Sequence, residues 1–284
     1  MYKLGLIGQS ISKSKAPSLH KFLGELCGVS VNYELHVPAD TSEAAFKETL
    51  AEIRALGYNG CNVTFPYKQI AVGSSETQND GVRLVGSTNT LEFKNQAPSA
   101  FNTDYTGFIL GYKGRLGDLP AGKVLLLGAG GVGRAVAFGV FEVGATEVLV
   151  FDPSADSANA LAASLNESGF KATVVDKAGL PEAAAAADGI VNCSPIGHYQ
   201  TPGIPIDPAL IAGQKWAFDA VYIPMDTEFL IRANQQGLKI VSGFDLFFYQ
   251  GVDAFEIFTG IKVDAVEALA KYKETFGIQS DLID

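Results

Sequence analysis

Cysteine, histidine and tryptophan are scarce in this chain of 284 residues, and no basic cluster offsets its acidic excess. The three cysteines, Cys27, Cys61 and Cys193, have neither the even count of a disulfide framework nor the spacing of a metal site. They are expected to be small buried residues in a reducing compartment. The three histidines, His20, His36 and His198, form no pair at ligand spacing, so no metal is expected. His20 reads as structural or rim-facing, His36 as the end of a strand and His198 as a loop residue. Lysine and arginine number 21 against 31 aspartates and glutamates, a formal net charge of −10. Without a basic stripe, a nucleic-acid groove or an anionic membrane surface is an unsuitable partner. A small anionic substrate is still allowed, because only the charge lining its cleft matters. No apolar run approaches the ~20 residues that span a bilayer. The apolar stretch at residues 2–7 is too short for a signal-peptide core and breaks at Gly8. The chain reads as a cytoplasmic protein, either monomer or homodimer.

What the chain does have is apolar material, 47% of its residues, enough for one large or two ordinary domains. Strand and helix patterns alternate throughout, which predicts an α/β protein with largely parallel sheets. In the first hundred residues, strands are expected near 2–7, 31–37, 60–64 and 87–93, with helices near 16–27 and 41–56. The second helix opens with Asp40-Thr41-Ser42-Glu43, good N-terminal chemistry, and Asn95-Gln96-Ala97-Pro98-Ser99 reads as a polar turn. A second unit starts near Gly122, with strands near 123–127, 147–151, 172–175, 188–192, 216–220 and 238–241. Residues 244–276 read as two helices whose partner domain the pattern leaves open.

The most specific signal is Val124-Leu125-Leu126-Leu127-Gly128-Ala129-Gly130-Gly131-Val132-Gly133-Arg134. A strand-length apolar run feeds a Gly-x-Gly-x-x-Gly turn, and a small-residue helical pattern follows. In that context the motif predicts dinucleotide binding, with Gly128, Gly130, Gly131, Val132 and Gly133 bringing helix N–H groups to a pyrophosphate. Asp152 ends the next strand, roughly 20 residues further on, where a carboxylate accepts from the ribose 2′-hydroxyl. The same charge repels a 2′-phosphate, and Pro153-Ser154-Ala155-Asp156 offers no arginine, so NAD rather than NADP is the expected cofactor. A bare glycine turn with an acidic helix cap does not account for the full strand–turn–helix–strand–acid order.

A dinucleotide domain does not name a reaction. In the first hundred residues, three loop segments rich in small polar side chains follow expected strands: residues 9–17, Asn62-Val63-Thr64-Phe65-Pro66-Tyr67-Lys68, and Ser87-Thr88-Asn89-Thr90 with Asn102-Thr103-Asp104. Ligands collect beyond the carboxyl ends of strands in open α/β sheets, and this composition suits a substrate with several hydroxyls.

These segments carry a resemblance. Gly8-Gln9-Ser10-Ile11-Ser12-Lys13-Ser14-Lys15-Ala16-Pro17-Ser18-Leu19-His20 resembles the N-terminal signature of the shikimate/quinate dehydrogenase family. The 62–68, 86–91 and 102–104 segments are similar to its other substrate-domain motifs, in the same order. Residues 128–134, Asn192-Cys193-Ser194-Pro195-Ile196-Gly197, Asp219-Ala220-Val221-Tyr222 and residues 243–250 are similar to its cofactor and closing motifs. The resemblance implies two α/β domains flanking a cleft, the second a Rossmann domain. It divides the chain into a substrate domain, 1–105 completed by helices within 245–284, and an NAD-binding domain, 106–244.

It also implies site roles. Lys68 would be the catalytic acid–base with Asp104 as its partner; Asn62, Asn89 and Gln250 would hold substrate hydroxyls; Ser14, Thr64 and Tyr222 would approach the substrate carboxylate. Asn192, Ser194, Val221 and Gly243 would join the glycine turn and Asp152 in holding the cofactor. The implied reaction interconverts a ring alcohol and ketone on shikimate or a close analogue, a step of aromatic amino-acid biosynthesis. A quinate or aminoshikimate-type dehydrogenase is the alternative within the family. A folate-type dehydrogenase is disfavoured by Ser14 and Asn102-Thr103-Asp104, and a non-catalytic dinucleotide sensor by the presence of both Lys68 and Asp104. The chain departs from the family pattern at Ala16, where a second hydroxyl residue is usual, and at Asp152-Pro153-Ser154, where NADP users carry Asn-Arg-Thr or similar.

Overall fold

The computed structural model describes residues 1–94 and 97–283; the first two residues of the turn read at 95–99 lie outside the described residues. Contacts divide the chain into two compact units, Met1–Thr106 with Phe248–Ile278, and Gly107–Phe247 with Gln279–Asp284.

The first unit runs β1 (Tyr2–Ile7), α1 (Ala16–Leu26), β2 (Val31–His36), α2 (Glu43–Ala55), β3 (Gly60–Val63), β4 (Thr77–Gln78), α3 (Asp80–Val85), β5 (Thr90–Glu92) and β6 (Ser99–Phe101). Its sheet has the order β2-β1-β3-β5-β6-β4. Strands β1, β2 and β3 are parallel, as the alternation predicts, but β5 runs antiparallel to both β3 and β6. Side chains along β1 take opposite faces by the two-residue strand period. Leu4 and Leu6 pack with Tyr33 and Phe258, whereas Ile7 packs with Phe46, Leu50 and Ile53. Helix α2 starts where its sequence says, with the Ser42 hydroxyl accepting from the Ala45 N–H.

The second unit contains β7 (Gly122–Leu127), α5 (Gly131–Glu142), β8 (Ala145–Phe151), α6 (Ala155–Glu167), β9 (Ala172–Val174), α7 (Leu180–Ala186), β10 (Gly189–Asn192), β11 (Trp216–Asp219), α8 (Glu228–Gln235) and β12 (Lys239–Ser242). All pairings are parallel, in the order β12-β11-β10-β7-β8-β9. That is the doubly wound Rossmann order, reversing direction between β7 and β10. Strands β10 and β11 are buried along their whole length, which is why they read as near-continuous apolar runs.

Helix α4 (Thr103–Leu116) and helix α9 (Gly243–Thr259) each carry residues of both units, and α10 (Ala265–Phe276) belongs to the first. The unit boundaries therefore fall inside α4, at Thr106/Gly107, and inside α9, at Phe247/Phe248. Residues 279–283 join the second unit because Ser280 Oγ and the Asp281 N–H both bind the Asp226 carboxylate. No helix among the described residues is long and apolar enough to cross a membrane.

Candidate active site

In the first unit, the polar loops meet at the carboxyl end of β3. Lys68 lies in the turn after that strand, where its backbone carbonyl accepts from the Thr88 N–H at 2.8 Å. Asp104 lies in the first turn of α4, which Asn102 caps by accepting from the Tyr105 N–H at 3.0 Å. The Asn102 amide also donates to the Ser87 carbonyl, tying the two loops together. The outcome is an ion pair of 2.5 Å between Lys68 Nζ and Asp104 Oδ2, with side chains only 13% and 10% exposed.

Behind the pair lies a buried network of neutral polar groups. Asn89 accepts from the Thr103 N–H at 2.7 Å and donates to its hydroxyl at 3.0 Å. Thr90 Oγ1 lies within 3.2 Å of Thr103 Oγ1, and Thr103 reaches Gln250 on α9 at 3.5 Å. Asn62, for which the family motif implies a hydroxyl-holding role, is buried within this network. Its two amide hydrogens go to the Asn89 carbonyl at 3.2 Å and Thr90 Oγ1 at 3.1 Å, and its oxygen accepts from the Tyr33 hydroxyl at 2.8 Å. Both donors are thus engaged in this arrangement, and Asn62 orients Asn89 and Thr90.

The loop after β1 lies against the turn after β3. Gln9 N–H donates to the Phe65 carbonyl at 3.0 Å, and a Cβ on Gly8 would stand 2.3 Å from the Thr64 methyl. Ser14 Oγ accepts from the Ala16 N–H at 3.2 Å, so its own hydrogen is left to donate at the start of α1. Ser14, Thr64, Lys68, Asn89, Asp104 and Gln250 are thus carried by the same unit. Tyr222 belongs to the second unit, stacked on Phe247 at 4.9 Å.

His20 is a deeply buried residue, stacked on Tyr33 at 4.7 Å and hydrogen-bonded to Asn62. Burial pushes its imidazole down to about 3, so it stays neutral in the working range. The rim-facing option is therefore ruled out. Its 1% exposure could not be read from its place in the sequence.

In the second unit, the glycine turn has the shape a pyrophosphate requires. Gly128 adopts φ +104°, and a Cβ at Gly133 would lie 2.1 Å from the Gly128 carbonyl oxygen, which only glycine avoids. A Cβ at Gly130 would meet nothing within 4 Å, leaving open space before the N-terminus of α5, which begins at Gly131-Val132 and which no side chain caps. These residues fit a dinucleotide. Asp152, just past β8, accepts from the Ala129 N–H and the Ser154 N–H, each at 2.8 Å, and so holds its carboxylate beside the turn.

On the neighbouring strand β10, Asn192 pairs in register with Leu127 of β7, directly before the glycine turn. It is fully buried, donating to the Ile196 carbonyl and Asp219 Oδ1, each at 2.9 Å, and accepting from the Ser194 N–H and hydroxyl. It shapes the loop that carries Ser194. The Val221 N–H donates to Asp219 Oδ1 at 2.9 Å, and Gly243 allows α9 to start where a Cβ would stand 2.5 Å from the Ala220 carbonyl. Asp219, quoted above only as part of a motif, is the common partner of these loops.

Comparison with known proteins identifies the family of the chain. Residues 6–91 match the family model of the shikimate dehydrogenase substrate binding domain, and residues 124–200 that of the saccharopine dehydrogenase NADP binding domain. A quinate/shikimate dehydrogenase (NAD(+)) of Corynebacterium efficiens is 34% identical over 95% of this chain and 96% of its own. A shikimate dehydrogenase (NADP(+)) of Pseudarthrobacter chlorophenolicus is 34% identical over 93% and 91%. The solved quinate dehydrogenase of Corynebacterium glutamicum, in complex with NAD, superposes with a TM-score of 0.87 at 33% identity, covering 96% of this chain and 99% of that one. The chain belongs to the shikimate/quinate dehydrogenase family, oxidoreductases with a Rossmann-type domain for a nicotinamide dinucleotide.

Proposed function

We propose that this protein is an NAD-preferring dehydrogenase that interconverts a ring hydroxyl and a ketone on shikimate or a close analogue, with Lys68 and Asp104 as its acid–base pair. The observation that carries the reading is the Lys68–Asp104 contact of 2.5 Å, almost removed from water, within reach of the Asn89–Thr103 network. In this reading residues 1–106 with 248–278 are the substrate domain, and residues 107–247 the NAD domain. In the oxidation direction the pair takes the hydroxyl proton, and in reduction it returns that proton to the nascent alkoxide. Asp104 orients the ammonium and shares the proton, so the two act as one coupled unit. Asn89 keeps one amide hydrogen outside the contacts given above, and that hydrogen together with Gln250 holds ring hydroxyls. Ser14 and Thr64 take the carboxylate. Bound at the glycine turn, the nicotinamide dinucleotide supplies the hydride acceptor or donor.

The test is initial-rate oxidation of shikimate and of quinate, each with NAD and with NADP, followed by the absorbance of the reduced nicotinamide. Turnover of shikimate with NAD exceeding that with NADP is the expected result. Turnover with NADP alone would remove the cofactor assignment, and silence in all four assays would remove the substrate.

Ala16 favours a second substrate within the same chemistry. It is half-buried at the start of α1, two residues from Ser14, where a second hydroxyl would strengthen the hold on a carboxylate. A hydrogen bond to a charged acceptor contributes about 1–3 kcal/mol. Ala16→Ser is therefore expected to lower KM for shikimate at least about fivefold, a factor equivalent to the low end of that range. An unchanged KM would assign Ala16 to a different acid, quinate or an amino analogue.

A further inference from the structure

Asp219 closes β11 and is fully buried. Its Oδ1 accepts from the Asn192 amide and the Val221 N–H, each at 2.9 Å, and its Oδ2 from the Thr227 hydroxyl at 2.6 Å. One side chain thereby ties the end of β10, the loop after β11 and the N-cap of α8. Burial pushes its carboxyl up to about 7, and these hydrogen bonds oppose that rise; no cation among the described residues contributes. A buried carboxylate with no cation is costly. An asparagine could connect the same loops without that cost, so a carboxyl that accepts three hydrogen bonds at this place calls for an explanation.

Its position suggests one. Asp219 pairs in register with Asn192 of β10 and Ser242 of β12, at the carboxyl edge of the strands beyond the reversal point of the sheet. In doubly wound sheets this half receives the second mononucleotide of the cofactor, here the nicotinamide. The nicotinamide ring is cationic when oxidised and neutral when reduced. We propose that Asp219 selects between the redox states of the cofactor, its buried negative charge favouring the oxidised cation over the neutral reduced form. This rests on the reading of the β10–β12 edge as the seat of the nicotinamide.

The test is the affinity of the intact protein for each cofactor form, measured by titration calorimetry at about pH 8, where the carboxylate is ionised. Asp219→Asn is close to isosteric. Its carbonyl can keep both Oδ1 contacts, and its NH2 can donate to the Thr227 hydroxyl. The expected result is a roughly tenfold rise in Kd for NAD⁺ with Kd for NADH moving less than about twofold. If both constants rise together, or neither moves, Asp219 is only a structural tie and the proposal is overturned. If the unaltered protein binds neither form, the reading of the edge fails first and takes the proposal with it. Thr227→Val serves if the asparagine variant does not fold, because it removes one hydrogen bond that favours the ionised carboxylate. The same relative loss for NAD⁺ at about pH 7 is then expected, and parallel changes in the two constants would overturn the proposal.

Discussion

Lys68→Ala is expected to lower kcat by roughly 10²- to 10⁴-fold, the contribution of a positioned acid–base group, with Kd for NAD⁺ unchanged within about twofold. The separation follows from the fold. Lys68 belongs to the first unit, while the glycine turn and Asp152 belong to the second. Deleting Nζ also leaves Asp104, 10% exposed, without the cation that balances it, so the variant is expected to lose stability as well as activity. A second variant keeps the experiment interpretable. Lys68→Ala combined with Asp104→Asn removes both charges, and groups that act as a unit are not additive. The double variant should therefore be about as inactive as the single one, yet more stable. Steady-state rates with shikimate, thermal unfolding and NAD⁺ titration measure the three quantities. A kcat within about threefold of the unaltered protein would end the assignment of Lys68 as the acid–base group.

The parts of this molecule legible in its sequence are those fixed by local pattern. All six strands of the second unit are signalled by apolar runs, and the glycine turn by the contacts that only glycine permits. The parts that are not legible depend on partners far along the chain. Strands β4 and β6, of two and three residues, are too short to show a period and exist because they pair with each other. The antiparallel course of β5 leaves no mark on a segment whose three residues are all buried. The boundary within α9 is invisible because Phe244, Phe247 and Phe248 are all buried, giving one uninterrupted apolar pattern. For Asn62 and Asn192, the motif identifies an amide but not the destination of its hydrogens, and each has a decisive partner, Tyr33 or Asp219, 27 or more positions away. Asp219 was readable as part of a motif; its burial, the source of its interest, was not.

Cofactor choice carries the second large effect. The relatives differ on it, one named for NAD(+) and another for NADP(+). The geometry points to the end of β8. Asp152 receives one N–H on each oxygen, from Ala129 and Ser154, which fixes its carboxylate beside the glycine turn. Each oxygen keeps a further lone pair for a ribose diol, and the negative charge opposes a 2′-phosphate at the same place. Ser154 is exposed, so arginine fits there without repacking. Changing Asp152 to Asn and Ser154 to Arg together removes the repulsion and adds a cation. The ratio of kcat/KM for NADP to that for NAD is expected to rise at least about tenfold, since discrimination needs both the attraction and the loss of the repulsive group. Stability should fall by about 1 kcal/mol, because Ser154 caps α6 by accepting from the Ser157 N–H and arginine cannot. Asp152→Asn alone separates the two contributions. It keeps the Ser154 cap, relieves only the repulsion, and should weaken NAD use more than it improves NADP use. Parallel initial-rate series with both cofactors check this. If the preference of the double variant is unmoved, the choice is made elsewhere on the glycine turn and Asp152 serves only to hold that turn through Ala129.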